Sequence, residues 1–141
     1  MRRVYIDTSA LLRLLFAERG PKAPFGGASA RYASEVIEIE TFRTLDRARL
    51  AGRLDDMETA RKSKELAELL ETLHLVPLSR EVTDLARATF PVPVRALDAI
   101  HVATAQWLQR ELDAPLEFWT HDRRQAAAAL CRALAVHGAD G

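Results

Sequence analysis

A single cysteine, Cys131, is all that the 141 residues contain, so neither a disulfide framework nor a cysteine-ligated zinc site can be built. A reducing compartment, the cytoplasm, fits that usage. No stretch approaches the roughly 18 uninterrupted apolar residues of a membrane-spanning helix. Met1-Arg2-Arg3 precedes apolar residues in the manner of a secretory leader. Asp7 and Arg13 break the run, however, and no small-residue cleavage site follows, which argues against one. Excess charge is also missing: Lys+Arg and Asp+Glu stand at 20 each, for a formal net charge of zero. Proteins that hold phosphates without specificity are usually basic, so nucleic-acid binding here would need a local basic patch, a bound metal, or both. The histidines His74, His101, His121 and His137 lack metal-ligand spacing such as H-x-x-x-H.

What remains is an ordinary globular composition, 48% apolar and 28% charged, in a length that suits one α/β domain over residues 1–141. Arg3-Val4-Tyr5-Ile6 is a β-branched and aromatic run that predicts a buried strand. Thr8-Ser9 offers a cap for a helix carrying Leu11, Leu12, Leu14, Leu15 and Phe16. Gly20 to Ser29, rich in glycine and proline, reads as a loop or loosely helical connection. Ser34 then offers a cap for a helix over Val36 to Leu50, which Gly52 ends. Asp55 and Glu58 make a capping box for the next helix, whose inner face is expected to hold Met57, Ala60, Ala67, Leu70 and Leu73.

Leu75 to Leu78 is a strand candidate whose Pro77 suggests an edge or a strand end. Ser79 caps a helix with Val82, Leu85, Ala86 and Phe90, and Pro91 and Pro93 mark the following loop. A helix over Ala99 to Leu112, a strand over Leu116 to Trp119, an alanine-rich helix and a last strand at Leu134 to Val136 complete the reading. Strands alternating with helices predict a central parallel sheet flanked by helices, with ligands beyond the carboxyl ends of the strands.

Asp7 and Asp122 fall at or just beyond such ends. With Glu40 and Asp98 they make a set of four acids that chemistry can use if the fold gathers them. Converging carboxylates repel, and Mg²⁺ or Mn²⁺ compensates them with a preference for hard oxygen ligands. A metal so held activates water and stabilises charge on a phosphodiester. Each acid also has a purely structural explanation. Asp7 can cap the first helix, Glu40 can pair with Arg43, Asp98 suits a helix start, and Asp122 with Gln125 is a capping-box pattern.

Four blocks set these acids in context. Val4-Tyr5-Ile6-Asp7-Thr8-Ser9-Ala10-Leu11 closely resembles the opening strand and helix of PIN domains. Ser34 to Glu40, a serine with a helical glutamate six residues on, is similar to that family's second block. Leu97-Asp98-Ala99-Ile100-His101-Val102-Ala103-Thr104-Ala105 resembles the third, and Thr120-His121-Asp122-Arg123-Arg124 the fourth. The blocks keep the family's order across positions 4 to 124, and the resemblance is nearest to the VapC-type toxins of toxin–antitoxin pairs.

The resemblance implies a single compact α/β PIN-like domain, usually dimeric, that hydrolyses RNA with Mg²⁺ or Mn²⁺ and leaves a 5′-phosphate and a 3′-hydroxyl. It also implies a protein antitoxin as partner. Asp7, Glu40, Asp98 and Asp122 would be the metal-site carboxylates, and Ser9 and Thr120 the hydroxyls that order the site. On a helix Glu38 lies roughly 200° from Glu40, and Glu35 about 140° away on the other side, so only one of the three suits a cleft. Block spacing selects Glu40.

Arg43, Arg47, Arg123 and Arg124 are candidate phosphate contacts, or a solvated face that offsets the acids. His101, three residues after Asp98, is expected to be packed or hydrogen-bonded. Apolar residues at Leu11 to Phe16 and Leu66 to Leu73 exceed one helical face and suit a second copy or an amphipathic partner helix. Rival chemistries fit poorly. A haloacid-dehalogenase-like phosphatase wants an aspartate where Ser9 stands, and a response-regulator receiver wants a late lysine, whereas the last is Lys64. The remaining alternative is a PIN scaffold that binds RNA or protein without catalysis, whose mark would be loss of one or more of the four acids.

Overall fold

A computed structural model describes residues 1–17, 22–24 and 29–139. Five strands, β1 (Arg3–Ile6), β2 (Ala30–Ser34), β3 (His74–Val76), β4 (Glu117–Trp119) and β5 (Ala135–His137), form one sheet in the order β3-β2-β1-β4-β5. Every pairing is parallel. The helices are α1 (Thr8–Leu15), α2 (Ile37–Leu50), α3 (Asp56–Glu71), α4 (Arg80–Arg87), α5 (Ala96–Leu112) and α6 (Arg123–Leu130).

Burial on both faces follows from the alternation of β1. Val4 and Ile6 join a core with Leu11, Leu15, Ile37, Leu45 and Leu66 from α1, α2 and α3. Tyr5 points the other way, into a core with Val102, Leu108, Phe118 and Ala128 from α5, β4 and α6. Both cores are needed because a parallel sheet cannot leave a face in water when its crossover helices cover it. No helix among the described residues is long and apolar enough to cross a membrane.

Several sequence expectations are corrected. The strand Ala30–Ser34 was not foreseen, because only Ala33 and Ser34 of Ala-Arg-Tyr-Ala-Ser are fully buried and the apolar alternation is weak. It forms because β1 and β3 flank it and supply ladder partners on both edges. Much of the predicted loop over Gly20 to Ser29 lies outside the described residues. Asp7, not Thr8 or Ser9, caps α1. Ser34 ends β2 instead of capping α2, which starts at Ile37 behind Val36. Its hydroxyl still accepts from the Val36 amide at 3.3 Å.

On α3 the inner face is Leu66, Leu69 and Leu70, leading to Leu73 beyond the helix end, while Met57, Ala60 and Ala67 are exposed. Met57 is nine residues before Leu66, about half a turn away around the helix. Phe90 lies beyond α4 in the proline loop. The capping box of Asp55 and Glu58 and the Ser79 cap form as expected. β3 stops just before Pro77 and is an edge strand, which spares the sheet a missing donor.

The end of α2 illustrates how backbone chemistry sets a boundary. Gly52 takes φ +75°, its amide donates to Arg49 O, and the Arg53 amide donates to Ala48 O. This paired closure needs a left-handed residue, which glycine adopts without cost. The end of α6 makes a comparable turn with Ala133 at φ 59°, where a Cβ is strained. The two positions therefore respond oppositely. Gly52→Ala, whose Cβ meets nothing within 4 Å, should destabilise by about 1 kcal/mol. Ala133→Gly should stabilise by somewhat less, roughly 0.5 kcal/mol, after the greater entropy of the unfolded glycine is deducted. Urea midpoints at unchanged slope measure both, and equal signs would exclude this account.

Candidate active site

Strands β2 and β3 lie to one side of β1, and β4 and β5 to the other, so the strand order reverses between β1 and β4. Open α/β sheets place ligands in the crevice at such a reversal. The two chain segments leaving it are Asp7-Thr8-Ser9 after β1 and Thr120-His121-Asp122 after β4. A cleft of ≈470 Å³ opens there, and Asp7, Glu40, Asp98 and Asp122 all line it.

Asp7 is buried at the bottom, only 4% exposed. Its Oδ1 accepts from the Ser9 hydroxyl at 2.7 Å and the Ala10 amide at 3.0 Å, and its Oδ2 accepts from the Thr120 hydroxyl at 2.6 Å. Those hydroxyls also accept: Ser9 Oγ from the His121 amide at 2.8 Å, and Thr120 Oγ1 from the Asp122 amide at 3.1 Å. The two loops are thus tied to each other through one carboxylate. Burial pushes the Asp7 carboxyl above its ordinary value, and the His101 imidazole, Thr120, Ser9 and Ala10 act against that rise. Desolvation dominates because the charged form loses its water on every side.

Each of the other acids belongs to the start of a helix. Asp98, in the first turn of α5, accepts from the Arg95 amide at 3.4 Å. Asp122 caps α6, accepting from the Arg124 amide at 2.9 Å and the Gln125 amide at 3.4 Å. Glu40, in the opening turn of α2, contacts His101 Nε2 through Oε1 at 2.7 Å. Of its neighbours, Glu35 turns away to accept from the Leu78 amide, and Glu38 is exposed. The structural explanations and the cleft placement are therefore both true of Asp7, Asp98 and Asp122. Their helices begin at the crevice, and caps necessarily gather where helix N-termini do.

The basic residues divide. Arg43 and Arg47 line the cleft, with Arg43 paired to Asp46 at 2.7 Å and Arg47 donating to the Thr44 hydroxyl at 3.1 Å. Arg123 and Arg124 line a separate hollow with Val92 and Pro93. Sequence reasoning passed over two further residues. Gln125, 1% exposed, lines the cleft with a side-chain oxygen that has no protein partner among the described residues. Tyr5 is fully buried, its hydroxyl 2.8 Å from His101 Nδ1. Gln125 gave a signal only as half of a capping box, and Tyr5 only as a strand residue.

A cation at this cleft would meet hard oxygen donors, the type Mg²⁺ and Mn²⁺ prefer. Among the described residues no three Asp, Glu, His or Cys groups are close enough to enclose one ion. The donor set therefore suits a cation that keeps much of its water and takes one or two carboxylates directly, as Mg²⁺ commonly does. A second hollow, ≈350 Å³, adjoins the first along Leu12, Thr44 and Arg47 and is floored by Phe16, Ala48 and Leu54.

Comparison with known proteins agrees with this geometry. The family model described as PIN domain matches residues 4–132. The chain is 34% identical over 144 residues to ribonuclease VapC46 of Mycobacterium tuberculosis strain H37Rv, covering 96% of this chain and 97% of that protein. It is 34% identical over 128 residues to ribonuclease VapC47 of strain CDC 1551, covering 86% and 85%. Its fold is similar to the crystal structure of PAE2754 from Pyrobaculum aerophilum, with a TM-score of 0.61 at 18% identity over 96% of this chain and 83% of that one. By family model and by sequence, this chain belongs to the PIN-domain family.

Proposed function

We propose that the protein is an endoribonuclease that hydrolyses RNA phosphodiester bonds with Mg²⁺ or Mn²⁺ in the cleft of Asp7, Glu40, Asp98 and Asp122, one or two of them binding the cation directly and the others through its retained water. The observation that carries this reading is the convergence of those four carboxylates, from the starts of four helices, on one cleft. The two similar ribonucleases of Mycobacterium tuberculosis support the substrate class. When bound, the cation supplies an activated water and neutralises charge gathering on phosphorus. The chain's own residues do the rest. Ser9 and Thr120 hold the Asp7 carboxylate in one orientation, and Arg43 and Arg47 offer charge-assisted contacts to phosphate at the rim.

The biological role we assign is the toxin of a toxin–antitoxin pair, with a protein antitoxin as partner. The hollow beside the cleft, half apolar through Leu12, Phe16 and Leu54 and half polar through Thr44, Arg47 and Arg53, supports a partner that lays an amphipathic segment there. A non-catalytic binding module is the less favoured reading, since all four acids remain and share the cleft.

Purified protein, freed of any partner and incubated with total RNA in Mg²⁺ or Mn²⁺, should give discrete cuts with 5′-phosphate ends. Chelator should abolish them, and Asp98→Asn should slow them by about a hundredfold or more, the scale of losing a group that acts on the transition state. Cleavage that survives both would sink the four-carboxylate mechanism.

Asp7 gives a second, independent test. Its folded-state pKa lies above the ordinary 3.8, so the fold is favoured below the unfolded value and loses that advantage as pH rises through the folded one. At neutral pH the metal-free protein therefore carries a destabilising buried charge. Asp7→Asn should abolish cleavage while raising the metal-free Tm by roughly 3 °C, or about 1 kcal/mol. The difference between variant and wild type should vanish in acid, and should narrow when Mg²⁺ stabilises the wild type alone. A less stable variant at neutral pH would show that the hydrogen bonds to Asp7 outweigh its desolvation.

A further inference from the structure

Glu40 is held differently from the other three acids. Asp7, Asp98 and Asp122 are anchored by backbone amides at their own helix starts. Glu40 is past the free amides of α2, its own N–H already donating to Val36 O at 3.1 Å. Among the described residues, the one partner of its carboxylate is His101 Nε2, and Oε2 has none. A glutamate has three side-chain torsions, so without that contact its carboxylate would sample many positions over the cleft.

His101 is itself fixed. It lies on α5 one turn after Asp98, with a side chain only 3% exposed, and Tyr5 Oη is 2.8 Å from its Nδ1. Tyr5 is immobilised in β1, stacked on Phe118 with ring centroids 5.2 Å apart at 7°. The Ser34 amide donates to Tyr5 Oη at 3.1 Å. The Glu40 carboxylate can only accept, so His101 Nε2, 2.7 Å from it and 3.3 Å from Thr8 Oγ1, carries the ring proton, and Nδ1 of the neutral imidazole accepts the phenolic proton of Tyr5.

We infer that Tyr5 and His101 are positioning residues that fix the Glu40 carboxylate for the cation, the phenol setting the tautomer and plane of the imidazole and Nε2–H orienting Glu40. The inference rests on the metal-dependent reading above. Partners of this kind, one bond behind a metal ligand, typically control affinity by about ten- to a hundredfold. A merely packed histidine would need neither the ordered proton nor a phenol two residues before Asp7.

The test is Mn²⁺ affinity, measured by electron paramagnetic resonance on partner-free protein beside RNA cleavage, with thermal melts to establish folding. His101→Ala should weaken Mn²⁺ binding by about tenfold or more, and His101→Gln, whose amide N–H can replace Nε2–H, should restore most of it. Tyr5→Phe, which removes only the hydroxyl, should weaken it by several-fold and serves if His101→Ala does not fold. In a Glu40→Gln background the loss of His101 should cost nothing further, because both act through one carboxylate. If Glu40→Gln weakens Mn²⁺ binding but His101→Ala and Tyr5→Phe do not, the positioning role is overturned and the metal-dependent function stands. Additive losses from His101→Ala and Glu40→Gln also overturn it. If the wild type binds no Mn²⁺, the functional reading fails and takes this inference with it.

Discussion

The structure turns on a carboxylate that has almost no water. Asp7 is placed where the strand order reverses, and two hydroxyls and an amide replace its hydration. Charge-assisted hydrogen bonds of this kind are each stronger than neutral ones, yet they do not recover the whole desolvation cost, as the upward shift of the carboxyl shows. The residual cost has a geometric return. Ser9 and Thr120 each accept a backbone amide as well as donating to Asp7, so the loop after β1 and the loop after β4 take up one relative position. A neutral side chain at residue 7 would make weaker bonds and a looser crevice.

Helix starts supply the second part of the same solution. Four acids in one cleft are an electrostatic liability in a chain with no surplus positive charge. Here Asp7, Asp98 and Asp122 take backbone amides at helix starts, and Glu40 stands in the first turn of α2, where the macrodipole favours negative charge. Part of the compensation is thus built from backbone, and Arg43, Arg47 and His101 are the basic side chains on the cleft wall among the described residues. Zero net charge, which counts against a phosphate-binding protein when read from composition, is no obstacle once the compensation is local.

How much of this was legible depends on whether the cause is local in sequence. β1 and its terminal Asp7, the Asp55–Glu58 capping box, the Ser79 cap and the edge position of β3 were readable, because each is decided by a few adjacent residues. β2 was not. Ala30–Ser34 carries little apolar alternation, and tertiary pairing on both sides overrides its weak propensity. On α3 the expected Leu70 and Leu73 reach the core, but Met57, Ala60 and Ala67 only look apolar at helical spacing, and the core takes Leu66 and Leu69 in their place. The four acids are selected only by block context, since each alone has a structural explanation, which the fold fulfils for Asp7, Asp98 and Asp122 but not for Glu40, whose expected partner Arg43 pairs with Asp46 instead. Tyr5, 96 residues from His101, could not be linked to it by spacing of any kind.

β1 therefore has a role larger than its four residues suggest. Its alternation sends Val4 and Ile6 to one core and Tyr5 to the other, and Asp7 leaves its end into the crevice. A slip of one residue against β2 and β4 would exchange the faces, exposing Tyr5 to the α1–α3 side and removing its hydroxyl from His101 and Ser34. Asp7 would leave the reach of Thr120 in the same movement. The register that buries the apolar side chains is thus the register that assembles the acids. Two of them, Asp7 directly and Glu40 through Tyr5 and His101, are referred to one central strand. Selection for a packed core and selection for an ordered site therefore act on the same backbone position.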